Sequence, residues 1–246
     1  MVRFRVALAV GLVAAWLAAS PARVWAADDG TIKGKVIFKG DKDKYKRTVL
    51  DTSKDPNCKK SKDKIGNYEV VLNTKGDPIT VRNVLVSIKN DFAGKTFTAP
   101  TEPKTLTQHG CEYDPHVLGL VEGQGLKVLN GDDTNHNIHF LPKKNEEHNF
   151  SQPKKDAETG KELKLVAEAE PFKIKCDVHP WMGAWIGVYK HPFFAVTGED
   201  GTFEIKNLPP GKYTVEAWHE TFGKLTAEVE ARPGSVSEQD FTFEPK

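Results

Sequence analysis

The sequence predicts an all-β protein. Apolar residues alternate with period two at several places, and Gly, Pro and Asn punctuate the chain at short intervals. Helical periodicity shows only weakly, over residues 157–169. In chain order, Ile32, Gly34, Val36 and Phe38 form the first alternating set, followed by Val84, Val86 and Ile88. Phe203 with Ile205, then Tyr213, Val215 and Ala217, form the last two. Each set offers one face to a core and the other to water. About 220 residues remain after the N-terminal segment described next, enough for two sandwich-sized cores or one large one.

Arg3 and Arg5 precede an apolar run from Val6 to Ala19, and Val24-Trp25-Ala26 follows it. This is the charged, apolar and small-residue order of a secretory signal peptide, assigned to residues 1–26, with the mature chain starting at Ala27 or Asp28. The run is shorter than the roughly 20 residues that span a bilayer, so no transmembrane segment is expected in the mature chain. The expected location is the periplasm or the exterior. Removing residues 1–26 takes away three arginines and no acid, leaving 32 basic and 34 acidic side chains, a balance of −2. Nothing in that balance points to nucleic acid. Residues 39–64 hold ten Lys or Arg against five Asp. They read as a solvated loop, or as a docking surface for an acidic redox partner whose encounter rate the charge would raise.

Chemistry concentrates in Cys176-Asp-Val-His179-Pro-Trp-Met182, a thiol, an imidazole and a thioether within seven residues. His136-Asn-Ile-His139-Phe begins 40 residues before that cysteine. Two imidazoles and one thiolate with a weak axial thioether make the donor set of a copper centre used for electron transfer, because soft sulfur stabilises the reduced ion and imidazole suits both oxidation states. A structural zinc site would add further Cys or His at similarly short spacing, and the chain offers no second such cluster. With Cys176 assigned to metal in an exported protein, Cys58 and Cys111 remain as a disulfide pair; two free thiols are the alternative.

At these residues the chain resembles the cupredoxins, the type 1 blue-copper family, and is closest to the amicyanin and plastocyanin members in its ligand motifs. The resemblance implies one copper site with His136, Cys176 and His179 as strong ligands, Met182 as the axial one, and Asn137 bracing the cysteine loop. His139 is the alternative to His136, which the following Asn favours. The stretch from Pro115 to Asp133 looks like the family's strand pair before the first ligand. Asp177 departs from the Ser or Thr usual there, and a carboxylate beside the thiolate would favour the oxidised centre. The resemblance also implies that His179 reaches the surface and serves as the electron exit, in a patch that Trp181 and Trp185 could extend or, equally, leave for the core. His109, His116 and His148 read as solvated loop residues, and His191 and His219 as surface or core-rim histidines.

Asp200-Gly-Thr-Phe-Glu-Ile-Lys-Asn-Leu-Pro-Pro-Gly211 through Ala217 is similar to the second half of carboxypeptidase regulatory-like, transthyretin-like β-sandwiches, with Asp-Gly and Pro-Pro-Gly closing its turns. Gly30-Thr-Ile-Lys-Gly34-Lys-Val36, with the later Asn83 to Ile88, looks like the first half. The expected architecture is therefore a cupredoxin Greek-key sandwich inserted into, or next to, a transthyretin-like sandwich. Residues 27–98 and 192–246 are its two halves and residues 99–191 the copper unit. Three consecutive β units are the alternative. The functional expectation is single-electron transfer without substrate chemistry, between redox proteins of the dehydrogenase or c-type cytochrome class. Periplasmic copper carriage, and carbohydrate or protein binding through exposed aromatics such as Trp218, are the competing readings.

Overall fold

A computed structural model describes residues 28–59 and 65–245; the signal-peptide assignment and residues 60–64 of the basic run lie outside them. The described chain is built from β-strands, with one turn of 3-10 helix at Lys42–Tyr45 and one turn of α-helix at Pro56–Lys59. No helix among the described residues is long and apolar enough to cross a membrane.

The first strand, Gly30–Phe38, runs antiparallel to Thr202–Leu208 with Gly34 opposite Phe203. It also runs parallel to Val236–Glu238 and Phe241–Phe243. Leu85–Ile88 lies between Phe194–Val196 and Gly211–His219, and Gly223–Ala231 closes that sheet. Alternation gives each of these strands one apolar face. Ile32, Val36 and Phe38 from the N-terminal segment meet Phe203, Ile205 and Phe241 from the C-terminal one in a single buried cluster. A second cluster is formed by two other sheets. One runs Asn149–Gln152, His136–Leu141, Phe172–Lys175, Gly183–Tyr189, Val117–Val121; the other runs Asp156–Lys164, Gly125–Asn130, Lys104–His109, Glu112–Asp114. Leu106, Leu120, Leu126, Ile138, Phe140, Ile174 and Ile186 fill it.

Three expectations need correction. Residues 156–164 form a strand paired to Gly125–Asn130, with Leu163 opposite Leu126 and buried; tertiary pairing overrides the weak helical pattern. Residues 27–98 do not stay in one core, because Cys58 and Ile65 are buried in the second cluster. His116 is no solvated loop residue: its imidazole pairs with Glu220, which also accepts from Trp185 Nε1 at 2.7 Å.

The two cores meet where Leu85, Val117 and Trp218 pack together. Gly119 and Gly187, directly opposite each other in their parallel strand pair, make the approach possible. A Cβ on Gly119 would lie 2.5 Å from the Phe194 ring, and one on Gly187 2.4 Å from a Leu85 methyl. Side chains at these positions would push the sheets apart.

Two buried histidines give the sandwich a pH response. His191 Nε2 donates to the Ile88 carbonyl at 3.0 Å, while its Nδ1 accepts from the Phe193 amide at 3.2 Å. His219 Nδ1 accepts from the Thr221 and Phe222 amides at 3.1 and 3.3 Å. Protonating either Nδ1 would break those bonds in a dry site, and burial pushes both imidazoles down to about 4. The unfolded chain takes up these protons near pH 6.5 and the folded chain does not, so stability is complete above about 6.5 and is lost as pH falls toward 4. The expected loss reaches about 3 kcal/mol per histidine. A urea midpoint that is equal at pH 7.5 and pH 5 would contradict this; His191→Gln should reduce the difference.

Candidate metal centre

His136 opens the strand His136–Leu141, and Cys176 follows the end of the adjacent strand Phe172–Lys175, so antiparallel pairing brings the two motifs together. The loop after Cys176 folds back on itself: the Met182 amide donates to the His179 carbonyl at 2.9 Å, and the Cys176 amide to the Met182 carbonyl at 3.2 Å. The turn brings the Cys176 and His179 side chains together, with the Met182 backbone bonded to both residues. His136 Nδ1 and His179 Nδ1 are 3.0 Å apart, and Cys176 Sγ is 3.8 Å from His179 Nδ1. The donor atoms of His136, Cys176 and His179 all lie within 4.8 Å of one another. All three residues and Met182 are at most 2% exposed, and Met182 packs in the same cluster as Cys176.

Asn137 ties the two motifs together. Its amide donates to Cys176 Sγ at 3.4 Å, its Oδ1 accepts from the Asp177 amide at 3.0 Å, and its Nδ2 donates to Asn149 Oδ1 at 2.6 Å. Tyr113 OH donates to the Asn137 carbonyl at 2.5 Å. Burial alone would raise the Cys176 thiol, but hydrogen bonds from His136, His179 and the Asn137 amide outweigh it and lower the thiol to about 6. The thiolate a soft metal needs is thus already favoured near neutral pH.

His139 does not join the cluster. Its Nδ1 meets Asp177 Oδ2 at 2.9 Å and its Nε2 meets Glu147 Oε1 at 2.7 Å, on the outer face of the strand. Asp177 is also paired with Lys175 at 2.8 Å, so that ammonium offsets its charge beside the thiolate. The expectation of an exposed His179 is overturned. His179 is 2% exposed, because residues 50–59 lie across it and place Asp55 Oδ2 3.0 Å and Cys58 Sγ 3.6 Å from its Nε2. Trp181 packs on the same imidazole with ring centroids 5.1 Å apart, whereas Trp185 packs against the buried Trp218. Cys58 and Cys111 are joined in a disulfide, and Cys176 is the free cysteine.

Two residues escaped the sequence reading. Asp132 Oδ2 lies 2.9 Å from His136 Nε2, and Asp55 occupies the equivalent place on His179. Burial opposes ionisation of both carboxyls. Hydrogen bonds from the imidazoles and from backbone amides prevail, lowering Asp132 and bringing Asp55 to about 2, while both imidazoles are raised. Asp132 sits four residues before His136 in the turn, a spacing that could have flagged it; Asp55 left no local signal.

The donors fit a copper ion. Bonds of about 2.0 Å to nitrogen and 2.3 Å to sulfur, the lengths of a comparable divalent ion, fit among atoms 3.0 and 3.8 Å apart, and a thiolate with two imidazoles is a donor set that suits copper.

The carboxypeptidase regulatory-like domain model matches residues 182–244. None of the curated proteins matches the chain. Among solved structures, a copper-containing nitrite reductase from Thermus scotoductus SA-01 is 20% identical over 40% of this chain, with a TM-score of 0.31; the chain spans only 25% of that protein. An amicyanin variant in its Cu(I) form is 20% identical over 42% of this chain and 97% of its own, with a TM-score of 0.30. A purple cupredoxin from Nitrosopumilus maritimus is 22% identical over 34% of this chain and 97% of its own, with a TM-score of 0.26. The chain is an all-β protein that matches the carboxypeptidase regulatory-like domain over residues 182–244 and whose neighbours among solved structures include cupredoxins.

Proposed function

We propose that this protein is an exported type 1 copper protein that passes single electrons between redox proteins and has no substrate chemistry of its own. The observation that carries this reading is the convergence of the buried His136, Cys176 and His179, with the buried Met182 in the same core cluster as Cys176. Copper, when bound, supplies a one-electron couple. The chain's own residues hold the donors in place: Asn137 and Tyr113 fix the loop, and the core around Met182 limits movement between oxidation states. A rigid, closed donor set suits electron transfer better than catalysis, which needs an open coordination position. Burial under residues 50–59 also favours retention of the metal over its delivery as cargo. The Cys58–Cys111 disulfide supports an oxidising compartment, the periplasm or the exterior. The partners we propose are redox proteins, of the dehydrogenase or c-type cytochrome class. Residues 99–191, with Leu50, Cys58 and Ile65 packed into their core, are proposed as the copper unit, inserted between the two halves of the other sandwich.

Adding copper(II) to the metal-free protein should give an intense blue or green thiolate charge-transfer colour that Cys176→Ser abolishes. Tight binding without colour would sink the reading. Met182→Leu should keep copper and colour while shifting the potential, because an axial thioether tunes the centre without holding it. Complete metal loss in that variant would remove Met182 from the axial position.

A further inference from the structure

We infer that Asp55 and Asp132 are positioning residues for the two ligand imidazoles, and that the Cys58–Cys111 disulfide is the clamp that holds both carboxylates in place. The inference rests on the copper reading above. Each imidazole has two nitrogens, and the structure divides them cleanly. The Nδ1 atoms face each other and Cys176, while the Nε2 atoms face away, toward Asp132 at 2.9 Å and Asp55 at 3.0 Å. An ionised carboxylate can only accept, so it keeps the proton on Nε2 and leaves the Nδ1 lone pair for metal.

The carboxylates are themselves fixed. Asp132 accepts from the amides of Gly110 and Cys111, both at 2.8 Å. Asp55 accepts from the amides of Asn57 at 2.7 Å and Cys58 at 3.3 Å, and from the Thr134 hydroxyl at 2.9 Å. The two bonded cysteines therefore each donate a backbone hydrogen bond to one of the two carboxylates. One covalent bond joins both halves of this outer shell. The Cys111 carbonyl also accepts from Trp181 Nε1 at 3.1 Å, fixing the ring that packs on His179.

Two negative charges one imidazole away from the ion make both ligands stronger donors and favour the more positive oxidation state. A lower midpoint potential follows than the same four ligands would give without them.

The test is the midpoint potential and visible spectrum of the copper-loaded wild type, Asp55→Asn, Asp132→Asn and the double variant, with copper affinity measured alongside. The Asn variants keep shape and remove charge. Each should retain the charge-transfer colour, shift the potential positive, more so in the double variant, and lose 10–100-fold in copper affinity. Asp55→Glu, which keeps the charge, should return most of the shift. Blue variants with wild-type potentials and affinities would overturn the inference while leaving the copper reading intact. A wild type that binds copper without colour would overturn that reading and this inference with it. If Asp55→Asn fails to fold, Asp132→Asn decides the matter alone, because each carboxylate acts on its own imidazole.

Discussion

A chain ending at residue 191 is expected to lose its N-terminal sandwich and aggregate. Leu85–Ile88 has neighbours on both sides, Phe194–Val196 and Gly211–His219, and the deletion removes both. Gly30–Phe38 loses Thr202–Leu208 along one edge and Val236–Glu238 and Phe241–Phe243 along the other, keeping only a single register pair with Thr80. Ile32, Val36, Phe38, Val84, Val86 and Ile88 are at most 3% exposed in the whole chain. Each fully buried side chain of this kind contributes roughly 1.5–3 kcal/mol, so their joint exposure costs as much as the whole net stability of an ordinary domain. Unpaired edges beside an open apolar face then associate. The measurement is solubility, together with amide exchange over residues 30–38. A soluble protein with protected amides there would refute the split sandwich and restore the reading as three consecutive units. The copper assignment would survive, because Cys176, Met182 and Ile138 belong to a different cluster.

The parts of this molecule legible in its sequence are those encoded locally. Alternation at Ile32, Val36 and Phe38 places one face of a strand in a core whatever its partner. Cys176 and His179 are two donors three residues apart in one loop, so their approach needs no long-range information. The Cys58–Cys111 pair follows from parity once Cys176 is assigned to metal. The unread parts depend on contacts between distant residues. Asp55 is 124 residues from His179, and nothing around Asp55-Pro-Asn-Cys58 marks it as a partner for an imidazole. The same gap hid the burial of His179, since a histidine on a short loop looks exposed until another segment is laid across it. Residues 157–169 failed for a different reason: Lys161, Glu162, Leu163, Lys164 and Leu165 are good helix formers, yet Leu163 is buried from an edge strand whose partner is the distant Gly125–Asn130, and Leu165 is buried just past its end.

Replacing both halves of the cystine, as Cys58→Ser with Cys111→Ser, is expected to cost about 4 kcal/mol of stability through the freed loop alone. The bond joins residues 53 apart, linking the segment that follows the first strand to the turn between Lys104–His109 and Glu112–Asp114. Both sulfurs are buried in the core of the metal side, so hydroxyls placed there would add a desolvation cost. For a chain of this size the thermal midpoint should fall by roughly 10 °C. The second consequence is local. Without the bond, the contacts from residues 55–59 to the strands around the site include hydrogen bonds that Asp55 accepts from His179 and the Thr134 hydroxyl and one that Asn57 Nδ2 donates to the Asp133 carbonyl. Three such bonds contribute a few kcal/mol at most against the entropy of ordering the segment. In the metal-free double variant His179 should therefore become reactive to an imidazole-modifying reagent, while His136, 0% exposed at the start of a strand paired on both sides, stays protected. Equal thermal midpoints in the wild type and the double variant would show that the bond adds no stability. An unreactive His179 in a variant of lowered midpoint would show that the segment holds its place over the imidazole by packing, with the disulfide stabilising the fold elsewhere.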